Sequence, residues 1–133
     1  MINHHTALIY TMVLVSAADR DMTDAELRKM GEVIRGLPVF HGYDHNQLPS
    51  TASSCIEYLD DDDGLDKTLA AIKDGLPPKL RETAYALACD VAAADEHISP
   101  EEIRLLEIIR ERLEIERLVA AAIERAARAR YTK

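Results

Sequence analysis

Carboxylates set at matching positions around two turns are the residues of this chain best placed to do chemistry. Ser16-Ala17-Ala18-Asp19-Arg20-Asp21-Met22-Thr23-Asp24-Ala25-Glu26-Leu27 and Ala92-Ala93-Ala94-Asp95-Glu96-His97-Ile98-Ser99-Pro100-Glu101-Glu102-Ile103 follow one pattern at an offset of 76 residues. In each, an apolar run ends in an aspartate, and a Thr or Ser followed three positions later by glutamate opens the next helix. Hard carboxylate oxygens and turn carbonyls suit a divalent cation such as calcium, with Asp19 and Glu26 in one copy, Asp95 and Glu102 in the other, and Asp21 as an extra donor.

Two forces compete for these residues. Thr23-x-x-Glu26 and Ser99-x-x-Glu102 each match a capping box, in which hydroxyl and carboxylate satisfy the free amides of a helix start. Each cap is worth about 1 kcal/mol, and Pro100 at the first helical position strengthens the second. Capping leaves Asp19 and Asp95 unexplained, because a carboxylate at a helix C-terminus opposes the helix dipole. If the acidic groups converge to about 5 Å, each close pair repels by roughly 3 kcal/mol at an effective dielectric of about 20. A bound cation would relieve that repulsion, and so would an arginine such as Arg20, Arg104 or Arg110.

The elements that must position these turns are helical. Ala, Leu, Glu and Arg dominate, aromatics are 5% of the chain, and 133 residues suffice for one core. The expectation is a single all-α domain over residues 1–133, a compact bundle of about six or seven helices containing two pseudo-symmetric helix-turn-helix repeats. The apolar stretch from Asn3 to Ala18 reads as a central helix, too short to span a bilayer and without the basic flank of a signal peptide. A second helix from Thr23 to Arg35 carries Leu27, Met30, Val33 and Ile34 on one face and stops at Gly36, a good position for a left-handed C-cap. Residues 38–49, PVFHGYDHNQLP, read as an ordered loop dropping Val39 and Phe40 onto the core. Further helices are expected over 50–59, 66–74, from Pro77 and Pro78 to Ala94, 99–113 and 116–130. The small residues beside the turns would let the repeated units approach closely, bringing Asp19 near Asp95.

Other signals are weaker. Asp90, the lone charge between Ala84 and Ala94, needs a partner such as an arginine or tyrosine if it is buried. The Asp60–Asp63 run is not an EF-hand: with Gly64 in the sixth position, Leu59 and Ala70 fall where ligands are required. It reads as a solvated helix cap. His41 and His45 have the spacing of a helical zinc pair but sit among prolines and lack a third ligand. Cys55 and Cys89 have no zinc spacing, and reduced thiols in a cytoplasmic protein explain them. The net charge of −8 argues against nucleic-acid binding. Arg117, Arg125, Arg128, Arg130 and Lys133 make the C-terminal segment locally basic, an ordinary solvated face. No nucleophile grouping or phosphate loop suggests an enzyme.

The paired Ala-Ala-Asp turns with [ST]-x-x-Glu, together with Leu80-Arg81-Glu82-Thr83-Ala84-Tyr85-Ala86-Leu87-Ala88, resemble the TerB-like family associated with tellurite resistance. The similarity covers the whole chain. It implies a bundle of about seven helices and acidic turns that bind divalent cations, here Asp19, Glu26, Asp95 and Glu102. It also implies a non-catalytic, cytoplasmic accessory protein of metal-stress response, working through a protein partner that is membrane-associated. The chain departs from the family pattern after each aspartate, where Arg20 and Glu96 stand in place of glycine and His97 follows the second. Arg20 beside Asp19 can neutralise the first site internally, so the Asp95 site is the stronger of the two. The alternative is a metal-free helical interaction module whose turns are only caps.

Overall fold

The computed structural model describes residues 1–18, 22–94 and 98–133, among which there are seven α-helices and no strand. These are α1 (His4–Ser16), α2 (Asp24–Arg35), α3 (Leu48–Asp60), α4 (Gly64–Gly75), α5 (Arg81–Ala94), α6 (Pro100–Arg112) and α7 (Arg117–Tyr131). The all-α bundle expected from composition is the fold observed.

α1 is the central element. Asn3 caps it by accepting from the Thr6 amide at 2.9 Å, and every residue from Ala7 to Ser16 is buried. A helix apolar on all sides needs neighbours on all sides, and α3, α4, α5 and α6 supply them. Within it the Thr11 hydroxyl donates to the Ala7 carbonyl at 2.8 Å, so a polar group enters the core already satisfied. α5 is the second spine, lying against α1 on one side and α7 on another. Buried Ala84, Ala88 and Ala92 on α5, with Ala120 and Ala127 on α7, give these helices thin flanks. Small side chains at the crossing shorten the interaxial distance.

Residues 38–47 form two 3-10 turns, Pro38–Phe40 and His45–Gln47, where the sequence suggested an ordered loop. Phe40 is buried and Val39 half-buried, as expected. A residue that the sequence did not single out fastens this segment: His5 on α1 donates from Nε2 to the Val39 carbonyl at 2.8 Å and stacks on Phe40 at 5.5 Å. His41 is exposed and His45 lies edge-on to Tyr43, 5.9 Å between ring centres. No helix aligns the two histidines.

Two expectations about helix ends are corrected. Gly36 leaves α2 with φ −86° and ψ −6°, an ordinary right-handed conformation rather than a left-handed cap. Among the described residues the left-handed positions are Gly42, Asp63 and Glu114. Asp63 stands at the N-cap of α4 but makes no side-chain capping bond. Its φ of 60° is not the extended backbone from which a cap side chain reaches the helix amides. Asp60–Asp63 is solvated, as expected, without capping.

Candidate functional site

α2 and α6 begin alike. The Thr23 hydroxyl accepts from the Glu26 amide at 3.2 Å, and Glu26 Oε1 accepts from the Thr23 amide at 3.2 Å. In the second copy Ser99 accepts from the Glu102 amide at 3.1 Å, and Glu102 Oε1 accepts from the Ser99 amide at 3.2 Å. Each hydroxyl also donates to its glutamate, at 3.0 Å from Thr23 and 3.3 Å from Ser99. Both capping boxes read from the sequence are therefore complete.

Their surroundings differ. α6 packs against α1, α4 and α5, whereas α2 lies at the edge of the bundle against α3. Glu102 is consequently 3% exposed and belongs to the buried set, while Glu26 is half-buried. Both glutamates line one cavity of about 640 Å³ between α1, α2, α5, α6 and the end of α7. Met12 and Ser16 of α1 form part of its wall, and Glu32 and Asp90 add two more carboxylates. Residues 76 apart in sequence thus share one acidic hollow. Asp19 and Asp95, with Asp21, Arg20, Glu96 and His97, lie outside the described residues. Among the described residues, no group of three or more His, Cys, Asp or Glu side chains converges closely enough to hold a metal ion. Glu26 and Glu102 supply oxygens of the right chemistry, and a complete cation site requires the turn aspartates beside them.

Of the arginines considered as internal neutralisers, Arg20 lies outside the described residues and the other two pair with other carboxylates. Arg104 pairs with Glu107 at 3.1 Å, one turn along its own helix, and Arg110 with Glu124 of α7 at 3.7 Å. Asp90 has the arginine partner expected of it: Arg130, from the last turn of α7, donates to Asp90 Oδ1. With Asp90 19% exposed, this pair is partly shielded from solvent. The basic C-terminal segment is therefore not simply a solvated face. Arg130 docks α7 onto α5, and Tyr131 and Lys133 line the acidic cavity. The alternation of Arg and Ala over residues 125–130 gave no sign of it, because periodicity reports the face of a helix and not what faces it.

A second cavity, of about 480 Å³, lies between α5, α6 and α7 and contains Tyr85 and Cys89. Tyr85 donates to Glu124 Oε2 at 2.6 Å. Burial, reinforced by that hydrogen bond, holds the phenol protonated well above its ordinary range. Burial likewise pushes the Cys89 thiol up to about 11 and the Cys55 thiol up to about 12. Both cysteines are free. Since the thiolate is the reactive form, Ellman's reagent at about pH 8 is expected to leave both unmodified in the native protein and to count two in guanidinium. Rapid native reaction of either would refute that assignment.

Among the described residues no helix is long and apolar enough to cross a membrane. The model of the family described as Tellurite resistance protein TerB matches residues 5–126. Among curated proteins and among solved structures, none matches.

Proposed function

The chain belongs to the tellurite resistance protein TerB family, and from that premise we propose that it is a non-catalytic accessory protein that binds a divalent cation through its acidic inter-helix turns. The observation that carries this reading is the placement of Glu26 and Glu102 on one cavity, with Glu102 buried. Burying a carboxylate is costly unless positive charge or hydrogen bonds compensate it. Asp95 and Glu102 form the principal donor pair, Asp19 and Glu26 the secondary one, and calcium or a similar hard ion is the expected ligand.

The accessory role, the cytoplasmic setting, the membrane-associated protein partner and the link to tellurite or other metal stress rest on the family. The non-catalytic part has physical support as well. The strongly shifted groups of the second cavity, Tyr85 and Cys89, are shifted toward their protonated, unreactive forms. Neither is a base or nucleophile at neutral pH.

A second reading is favoured by the completeness of both capping boxes: Glu26 and Glu102 already have structural employment, and the protein would be a metal-free interaction module. Calorimetric titration with calcium, magnesium, manganese and zinc separates the two. Binding tighter than millimolar is expected, weakened at least about tenfold in the Asp95→Asn, Glu102→Gln double variant. Glutamine keeps an oxygen that can accept at the cap, so fold and charge are tested apart. No heat at millimolar metal, or equal affinity in the double variant, leaves the metal-free module as the reading.

A further inference from the structure

α6 and α7 both lie on α5, and the cavity of about 480 Å³ opens between them. Small residues make the room: Cys89, Ala92 and Ala93 on α5 and Ala127 on α7 line it where longer side chains would close it. Ile98, Ile103 and Leu106 add an apolar wall. Ile98 is 48% and Ile103 51% exposed, and Tyr131, also on the lining, is 39% exposed. Three of the seven large hydrophobic side chains left exposed among the described residues thus border one hollow, although such groups on a monomer are usually scattered singly. The charges of the lining do not cancel. Glu124 accepts from Tyr85 and pairs with Arg110 at 3.7 Å, and Glu107 pairs with Arg104 at 3.1 Å. Arg128 is left over: among the described residues no carboxylate lies within ion-pair distance of its guanidinium. Burial keeps Tyr85 and Cys89 neutral, so neither offsets that positive charge.

We propose that this cavity binds a small amphipathic anion, an aliphatic carboxylate of medium chain length, with its tail against Ile98, Ile103 and Leu106 and its head group on Arg128. The site is separate from the acidic cavity, with which it shares only Tyr131 among its lining residues, and it stands whether or not the turns hold a cation. Its volume falls within the roughly 300–1,000 Å³ of small-molecule pockets, which combine apolar walls with a few polar groups that fix orientation. Covering the two half-exposed isoleucines removes apolar surface from water and supplies affinity. The guanidinium selects the head group, since it can bind a carboxylate through two parallel hydrogen bonds. A cationic head group would instead meet an uncompensated positive charge. That preference runs against the net charge of −8, so it comes from this locus alone.

Decanoate, decanol and decyltrimethylammonium share a tail and differ in head-group charge, which makes them the probes. Calorimetry and carbon-13 shifts of the Ile98, Ile103 and Leu106 methyl groups read their binding below the concentrations at which micelles form. Decanoate is expected to bind with a Kd below about 1 mM and to move those methyl signals, with decanol about three- to tenfold weaker and the ammonium weaker still. The advantage of decanoate should shrink in about 0.5 M salt. In Arg128→Gln decanoate should fall to the affinity of decanol. Arg128→Lys should keep most of the preference, and Arg125→Gln, a residue that does not line the cavity, all of it. Ile103→Asn should weaken decanoate and decanol alike. All three positions are exposed, so these substitutions leave the core intact. Equal binding of the three probes, or a decanoate affinity that Arg128→Gln leaves unchanged, overturns the proposal and leaves an apolar hollow without selectivity. Methyl signals that no probe moves overturn it as well. Shifts of the same signals with protein concentration alone overturn it in favour of a second copy of this chain covering the hollow.

Discussion

Replacing Gly64 by alanine is expected to destabilise the protein by about 3 kcal/mol or more, among the largest effects of any single methyl group in this chain. A Cβ at this position would stand 2.5 Å from the Tyr58 carbonyl oxygen and 2.6 Å from that of Leu59. Both atoms belong to the backbone of α3's last turn, so no rotamer change can make room. Either α3 must unwind its end or α4 must move off α1, and Thr68, whose hydroxyl donates to the Gly64 carbonyl at 2.7 Å, would move with it. Gly31 provides the contrast. Within α2, a Cβ there would meet only Leu48 Cδ2 at 3.7 Å, an ordinary contact. Gly31→Ala is therefore expected to stabilise by about 0.5–1 kcal/mol through helix propensity alone. Urea denaturation of both variants checks the pair, and a cost below about 1 kcal/mol at Gly64 would show that the close approach is relieved cheaply.

Gly64 also illustrates where the sequence was legible. Beside four aspartates, its pattern correctly excluded an EF-hand, yet nothing in it announced that the carbonyls of α3 would press against this residue. Period and caps speak of one segment at a time, and they did so accurately: α1, the faces of α2, both capping boxes and the starts of α6 and α7 stand where the pattern placed them. Asp90 was half legible. A lone charge in an apolar helix demands a partner, but choosing Arg130, 40 residues away, requires knowing that α7 docks on α5. His5 was missed for the same reason, since its role depends on the carbonyl of Val39 arriving beside it. Gly36 was misjudged because glycine permits a left-handed turn without imposing one, and here the chain enters the Pro38–Phe40 turn directly.

The candidate site divides along the same line. The repeat identified Glu26 and Glu102 and assigned them one local role, which the hydrogen bonds bear out. Their inequivalence was invisible, because it comes from what α6 and α2 pack against. Glu102 is enclosed by the bundle, so its carboxylate acts in a medium where charges interact several-fold more strongly than in water. Glu26 at the edge acts in a more solvated one.

Leu8→Ala is expected to cost about 4 kcal/mol and Met12→Ala about 2–3 kcal/mol, although both side chains are fully buried on α1. The difference follows from what surrounds them. Leu8 belongs to the closed part of the core, so removing three carbons leaves a void that rigid neighbours on several helices cannot fill, and the cavity penalty adds to the lost transfer energy. Met12 lies one turn further along and borders the acidic cavity. Its truncation enlarges a hollow that already exists, where the surroundings can relax and water can enter. Guanidinium unfolding should show a lower midpoint for both variants with little change in slope. Met12→Ala carries a second consequence: widening the wall of the cavity that Glu26 and Glu102 line leaves the glutamates on their caps but loosens the enclosure around them. Cation affinity should therefore fall in Met12→Ala and remain native in Leu8→Ala under conditions where both are folded. Equal affinity in the two would mean that the walls of the cavity contribute nothing to holding the ion, and that the turns act alone.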